Sequence, residues 1–472
     1  MLKNLKKNKR LLIVAAALCS VLIAGAVIVK AAVRSKNNVL TVVDGNGEVL
    51  ATVSNLSVND SNLKDRNTST YVKTVIDEAI SVIAEKNGYS EEKSKKTLQN
   101  SSYTVYTAFD SKALEACSRA YSAFDDSKTP FSAVVMSNDG KLLSVFSGSD
   151  ESKNYATEKT QPYSAFKPLS VYAPAMEKGL INWSSRYEDS PVKKVLSDSG
   201  EYVDWPVNGT GKYTNGNITV CEGIKLSLNT TAVRCLKELG VSNSINFLSD
   251  KFNIDISNEK QIISKYGEEE VLANIGLGYL TAGVSPVELT GFYSIFSKGG
   301  RYEEPYSVLE IKDDKGKSVY KHTSNETQII SEETACVMNK LLQNTLSEGG
   351  TAQKAKVQGV KIGGKTGTGS EHLGNWFVGF TPEYSYSIWH GQRENNDCAE
   401  LSSYVISGLT HNKEKDFPEC SSVREYPYCT ESGELLTLNC IDMETGFYSA
   451  NNLPSKCKMH LEADGDFFQQ GE

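Results

Sequence analysis

An excess of positive charge is missing from most of this chain. Residues 1–36 hold Lys3, Lys6, Lys7, Lys9, Arg10, Lys30, Arg34 and Lys36 and no acidic residue, yet the whole chain carries a formal charge of −8. The remainder is therefore acidic, which argues against a nucleic-acid partner for it. Internal repeats and low-complexity tracts are absent, which sets aside solenoids and compositional disorder. Hydrophobic content of 39% and charged content of 23% suit a soluble globular body with a full core.

Long uncharged apolar runs are also missing, apart from Leu11–Val29. That run is long enough to cross a bilayer and longer than the usual signal-peptide core. The basic cluster before it predicts that residues 1–10 are a cytoplasmic tail and 11–33 a single-pass anchor, with everything after Arg34 outside. The competing reading is a signal peptide cleaved near Ala31 or Ala32. An exported body permits disulfides. Cys117, Cys221, Cys235 and Cys336 sit in apolar or helical surroundings and read as small buried side chains. Cys398, Cys420, Cys429, Cys440 and Cys457 crowd the C-terminal part and are the disulfide candidates, with connectivity open.

Local patterns predict a hairpin over 39–53 around Asp44-Gly45-Asn46-Gly47, a polar stem to residue 70, and a helix from Tyr71 stopped at Gly88. A strand at 103–109 and a helix at 111–124 capped by Asp110 come next. Phe131–Phe146 reads as the clearest hairpin, turning on Ser137-Asn138-Asp139-Gly140. Helices are predicted at 164–178, 229–239 and 331–347, strand-like pieces at 305–321, and a meander of three strands over 361–390. The organisation expected is stem (34–70), linker (71–130), main domain (131–417) and a Cys-containing tail (418–472).

Ser164-Ala165-Phe166-Lys167 lies between Pro162 and Pro168, ahead of an apolar run that ends at Gly179. Pro suits the first turn of a helix and not its middle. Ser164 should therefore start a helix, with Lys167 three residues on and on the same face. A serine hydroxyl is a poor nucleophile at neutral pH, and a lysine amine kept neutral by burial can activate it. Ser-x-x-Lys also occurs at Ser61, Ser90, Ser190, Ser257, Ser318 and Ser455, where a solvated turn is the plain reading. Ser164 is set apart by its companions downstream: Ser227-Leu228-Asn229, then Lys365-Thr366-Gly367-Thr368, the chain's single Lys-Thr-Gly.

Those three motifs in that order resemble the penicillin-binding proteins and serine β-lactamases. From about Tyr71 onward the chain resembles the transpeptidase half of the class A type. Tyr103–Thr107, Asn274–Gly278, Gly299–Tyr302, Gly350–Ala352 and Trp376–Pro382 carry the likeness beyond the motifs. Two departures stand out. No Glu-Asp-x-x-Phe is found and residues 34–70 are too few for the glycosyltransferase domain of that class. Tyr163 stands where the family usually has Gly.

The resemblance implies an α/β (α+β) fold with an antiparallel sheet of about five strands flanked by helices, and no cofactor or metal. It implies a membrane-anchored D,D-transpeptidase that cross-links peptidoglycan stem peptides ending in D-Ala-D-Ala and is acylated by β-lactams. Ser164 would be the nucleophile and Lys167 its base. Ser227 would relay a proton to the leaving amine, and Asn229 would hold the substrate amide. Lys365 would supply positive charge, and Thr366 and Thr368 would bind the substrate carboxylate, with Gly367 between them. The N–H groups of Ser164 and Thr368 would form the oxyanion hole. A separate glycosyltransferase is the expected partner, and the 39–53 hairpin and the 72–87 helix, which bury little by themselves, are either its docking surface or part of a stem that only sets the height of the active site above the membrane. The alternatives are a D,D-carboxypeptidase, or a non-catalytic β-lactam-binding sensor or scaffold. A β-lactamase would need a deacylating base, and no Glu-x-x-x-Asn occurs in the usual place. The tail's Cys429, Cys440, Cys457 and His460 admit a disulfide or zinc. The wide Cys429–Cys440 spacing and the exported location favour the disulfide.

Overall fold

The structure, a computed structural model, describes residues 38–149, 153–197, 199–369, 374–391, 395–412 and 414–460. The anchor predicted at 11–33 lies outside them. Among the described residues no helix is long and apolar enough to cross a membrane.

Two five-stranded sheets organise these residues. Their strands are β1 (Leu40–Val43), β2 (Val49–Val53), β3 (Tyr103–Thr107), β4 (Phe131–Ser137), β5 (Leu142–Gly148), β6 (Val308–Asp313), β7 (Ser318–Lys321), β8 (Gly363–Thr368), β9 (Asn375–Phe380) and β10 (Tyr384–His390). The main sheet is antiparallel throughout, in the order β8-β9-β10-β4-β5. This is the α+β arrangement that the sequence implied. β4 is apolar on both faces because both are covered. Phe131, Ala133 and Val135 face the core of helices α1 (Ser111–Phe124) and α2 (Cys398–Gly408), whereas Val134 and Met136 join a core shared with the other sheet.

The second sheet runs β7-β6-β3-β1-β2, with β1 and β3 parallel. The predicted stem and linker thus share a sheet with the 308–321 hairpin, which the sequence placed inside the main domain. Helix Ser69–Asn87 ends at Gly88 in the left-handed conformation (φ 62°) and lays Tyr71, Val72, Val75, Ile76, Ala79, Ile80 and Ile83 against this sheet and β5. The expectation that the 39–53 hairpin and this helix bury little is corrected. Leu40, Val42, Leu50 and Val53 are buried, because the hairpin and the helix cover each other's apolar faces. Glu78 fixes the helix to the strand by accepting from the N–H groups of Ser307 (2.6 Å) and Val308 (3.1 Å).

At the C-terminus, strands Val423–Cys429 and Met443–Ser449 pair antiparallel and pack on helix Glu332–Asn344 and on Trp183. All nine described cysteines are free thiols, which corrects the disulfide expectation for Cys398, Cys420, Cys429, Cys440 and Cys457. Three of those thiols converge on one imidazole instead of on each other in a pair. The four residues that the sequence left open to a disulfide or zinc thus lie together.

Candidate active site

Three chain segments bring the motif residues together at the edge of the main sheet. The first is the turn before and through Ser164. Tyr163–Phe166 is a 3-10 turn, Pro168–Tyr172 a π segment and Ala173–Glu177 an α-helix, stopped at Gly179 (φ 67°). The predicted helix exists but changes pitch just after Lys167. Such π segments are frequent at functional sites. Tyr163 adopts φ 49°, a conformation costing a non-glycine residue roughly 1–3 kcal/mol, which accounts physically for a preference for Gly there. Its strained backbone is held by a hydrogen bond from its N–H to Gly278 (3.1 Å) and by its ring packing edge-on against Tyr279 (5.4 Å).

Strand β8 is the second segment. Gly367 lets it approach the Ser164 turn, since a Cβ there would stand 2.6 Å from the Pro162 carbonyl and 3.1 Å from the Ala165 nitrogen. Trp376 on β9 donates from Nε1 to Gln161 (3.0 Å), and the Tyr293 hydroxyl donates to the Ala165 carbonyl (2.5 Å). The turn is therefore clamped on both sides of Ser164, to the sheet through Trp376 and to helix Pro286–Tyr293 through Tyr293. Asn396 donates from Nδ2 to the Thr368 hydroxyl oxygen (2.8 Å) and the Gly367 carbonyl (2.9 Å). That leaves the Thr368 O–H free to donate elsewhere. Thr366 enters through its carbonyl, which accepts from Lys365 Nζ at 3.1 Å. Pleat alternation turns its side chain to the face opposite Lys365 and Gly367.

The third segment is the corner Ser227–Asn229. Ser227 also has positive φ (59°), and Asn229 is the first residue of helix Asn229–Leu239, whose preceding Leu228 gives no side-chain cap. A distant residue supplies one: Asn208 Oδ1 accepts from the Asn229 N–H (2.9 Å), while its Nδ2 donates to Asp189 Oδ1 (2.7 Å). Thr230 donates to the same carboxylate oxygen (2.6 Å) and the Thr214 N–H to the other (2.8 Å). Burial pushes the Asp189 carboxyl up, but these hydrogen bonds outweigh it and hold it below the usual range. Neither Asp189, Asn208 nor Asn396 belongs to a motif, and no local spacing marks them.

The two lysines meet between these segments, and both are almost wholly buried. Lys167 Nζ donates to Asn229 Oδ1 (2.6 Å) and the Ser227 carbonyl (2.9 Å), with the Leu228 carbonyl farther off at 3.4 Å. Lys365 Nζ donates to Ser227 Oγ at 2.7 Å. Burial and, after it, the neighbouring charge of Lys365 hold Lys167 well below a lysine's ordinary range. Burial alone brings Lys365 to about 7. A neutral amine has two N–H groups and one lone pair. The two short bonds of Lys167 use both donors of the neutral amine, and Ser164, three residues earlier in the chain, is half-buried.

A buried, depressed lysine opposes folding wherever it is still charged. Between about 7 and the unfolded value of 10.5 the unfolded chain binds more protons, so the contribution of Lys365 to stability rises with pH and its penalty is greatest below about 7. Lys365→Met is accordingly expected to raise the melting temperature near pH 6 by several degrees, a gain on the order of a few kcal/mol. The gap should close by about pH 10. Calorimetry at both values checks it, and a gap independent of pH would show that folding does not depress this lysine.

A family described as the penicillin binding protein transpeptidase domain matches residues 131–390, more than half of the chain. Penicillin-binding protein 1A of Clostridium botulinum is 27% identical over 297 residues, which make up 61% of this chain and 34% of that protein. Penicillin-binding protein 1F of Bacillus subtilis is 30% identical over 325 residues, 66% of this chain and 42% of that one. The chain thus spans less than half the length of either relative. Among solved structures, the D,D-transpeptidase domain of a peptidoglycan glycosyltransferase from Eggerthella lenta superposes with a TM-score of 0.60 at 17% identity, covering 79% of this chain and 98% of that one. That likeness is one of fold.

Proposed function

The chain belongs to the penicillin-binding protein transpeptidase domain family, and from that membership we propose that it is a serine D,D-transpeptidase that cross-links peptidoglycan stem peptides. The observation that carries the reading is the pair of buried lysines on either side of Ser227, with half-buried Ser164 three residues before Lys167. Ser164 Oγ attacks the carbonyl between the two terminal D-alanines, and its proton passes to the Lys167 lone pair. Charge on the tetrahedral oxygen is met by the N–H groups of Ser164 and Thr368, where one donor is worth about 10²–10³ in rate. The proton then travels from Lys167 by way of the Ser227 hydroxyl to the leaving nitrogen. The C–N bond breaks, the terminal D-alanine departs and the ester on Ser164 remains. An acceptor amine attacks that ester and restores the serine. Protonated Lys365 and the Thr368 O–H hold the substrate carboxylate, and Asn229 holds the substrate amide. β-Lactams enter as mimics of the D-Ala-D-Ala amide and stop at the acyl-enzyme.

Mass spectrometry of the purified protein with a stem pentapeptide and an acceptor amine tests the reaction. Cross-linked product with release of D-alanine is the expected result. Tetrapeptide alone would mean carboxypeptidase action, and binding of penicillin without turnover would mean a sensor or scaffold. The uncharged run at 11–29 behind a basic tail supports a membrane-anchored protein with this domain outside.

Asn208 ties helix 229–239 to Asp189, so its loss should reach the reaction through Asn229. Asn208→Ala removes a helix cap worth about 0.5–2 kcal/mol and one partner of a buried carboxylate. A lower melting temperature and roughly 10-fold or slower acylation by a fluorescent penicillin are expected, because small misplacements of a site group are costly. Unchanged acylation kinetics despite the lower melting temperature would show that the network is structural only.

A further inference from the structure

Cys429, Cys440, Cys457 and His460 come from three separate stretches, yet each offers one ligand atom within 4.8 Å of all the others. The Nδ1 of His460 stands 3.4 Å from Cys457 Sγ and 3.6 Å from Cys429 Sγ. Ligands about 2.3 Å (sulfur) and 2.0–2.1 Å (nitrogen) from a tetrahedral zinc ion lie about 3.5 Å apart. A disulfide would instead bring two sulfurs to about 2.05 Å and leave the third thiol over.

The surroundings fit a metal as well. His460 faces the thiols with Nδ1 while Nε2 lies 3.3 Å from Glu431 Oε2, so a proton on Nε2 is shared with the carboxylate and the Nδ1 lone pair points at the sulfurs. Such a carboxylate behind a histidine is the usual support of a zinc ligand. The N–H groups of Glu431 and Ser432 hydrogen-bond Cys429 Sγ, those of Met459 and His460 hydrogen-bond Cys457 Sγ, and the Thr437 N–H reaches Cys440 Sγ at 3.4 Å. Backbone donors of this kind favour thiolates. Cys429 and Cys457 are buried, but Leu438, Ile441 and Met459 between and beside them are exposed. The lobe therefore has little apolar core of its own, and small lobes of that sort are commonly held by a metal.

We propose that Cys429, Cys440, Cys457 and His460 bind one structural zinc ion that closes the C-terminal lobe. Four protein ligands leave no open position, so the ion is structural and takes no part in acyl transfer. What it secures can be read from the junction. Ser184 Oγ donates to the Gly433 carbonyl (2.5 Å), Tyr448 OH donates to Ser184 Oγ (2.7 Å), and Asn452 Nδ2 donates to Ile181 (2.7 Å). Residues 181–185 lead directly into Arg186–Glu188 and then Asp189, whose carboxylate orders the Asn229 corner. The zinc lobe thus braces one wall of the active site from outside.

The test is metal content of the full chain purified without chelator, measured by plasma mass spectrometry beside alkylation mapping of the thiols under non-reducing denaturation. About one zinc per chain and three alkylatable thiols at 429, 440 and 457 are expected. Cys457→Ser and His460→Ala should each lose most of the zinc, and Glu431→Gln should weaken it about 10- to 100-fold in competition with a chromogenic chelator. Cobalt substitution should give thiolate-to-cobalt charge-transfer bands and the intense visible bands of a tetrahedral ion. Should a variant not fold, the wild-type metal content and cobalt spectrum decide alone. Zinc-free protein with two of these cysteines recovered as a disulfide overturns the proposal, as does zinc fully retained in a folded Cys457→Ser variant.

Discussion

Incubation with a fluorescent penicillin is expected to leave a covalent label on the wild-type protein and none on Ser164→Ala. The rate constant for labelling should fall by at least about 10⁴-fold, the scale on which removal of a covalent nucleophile acts in comparable serine enzymes. The neighbouring hydroxyl does not replace it: Ser227 Oγ is taken up by Lys365 at 2.7 Å and stands on the other wall of the cleft. The Ser164 turn is clamped by Trp376 and Tyr293 through the backbone and not through the serine side chain. Ser164→Ala should therefore keep the wild-type melting temperature to within about 0.5 kcal/mol of stability, the usual range for a substitution away from structural features. A folded Ser164→Ala protein that still labels would end the assignment of the nucleophile.

The second large effect separates the two lysines. Lys167→Arg places a group that cannot lose its proton where a lone pair is needed, so acylation should drop about 10²–10⁴-fold, the range for a lost general base. Lys365→Arg keeps the charge and a donor toward Ser227, and should retain acylation to within roughly 10-fold. The pH profiles should differ in sign. For the wild type, the apparent second-order rate constant rises as Lys167 gives up its proton and falls as the free protein's Lys365, at about 7, does the same. In Lys365→Arg the alkaline fall should disappear, because arginine stays charged. Equal losses in two folded variants, with unchanged profiles, would mean that the base and the anion-binding charge are not divided as proposed.

Both predictions rest on residues that were legible in the sequence. Three short motifs are separated by long stretches, but each is local, and a serine, two lysines and a turn asparagine in that order are uncommon enough to be read. The strands and most helices were legible for a similar reason. Gly88, Gly179 and the Asn138-Asp139-Gly140 turn punctuate them, and Asp110 caps its helix through Oδ1, which accepts from the Lys112 (2.8 Å) and Ala113 (3.1 Å) N–H groups. Pairing between distant segments was not legible. Nothing in the pattern at 39–53 says that it will pair with 103–107 and so share a sheet with 308–321, because the alternation that marks a strand carries no address. The stem's own pattern consequently does not announce that its apolar side is closed.

The C-terminal cysteines show the same division at one site. Their number and crowding were evident, and a compartment argument favoured a disulfide. Only folding decided that Cys429, Cys440 and Cys457 would reach His460 together, with Glu431 behind it. The spacing of Cys429 and Cys440 along the chain argued against zinc, but ligand geometry is set by where the ends of a hairpin meet and not by the number of residues between them.

By itself the sequence determined which atoms can do the chemistry: a hydroxyl, two amines and the turn residues that display them, since reactive groups and local backbone preferences are properties of single residues and near neighbours. The tertiary structure decided what state those atoms are in. It buried Lys167 and Lys365, set Ser227 between them, and drew Asp189, Asn208 and Asn396 from elsewhere to hold the walls. Those outcomes depend on desolvation and on hydrogen bonds between residues far apart in the chain, which exist only once the sheets have closed over them.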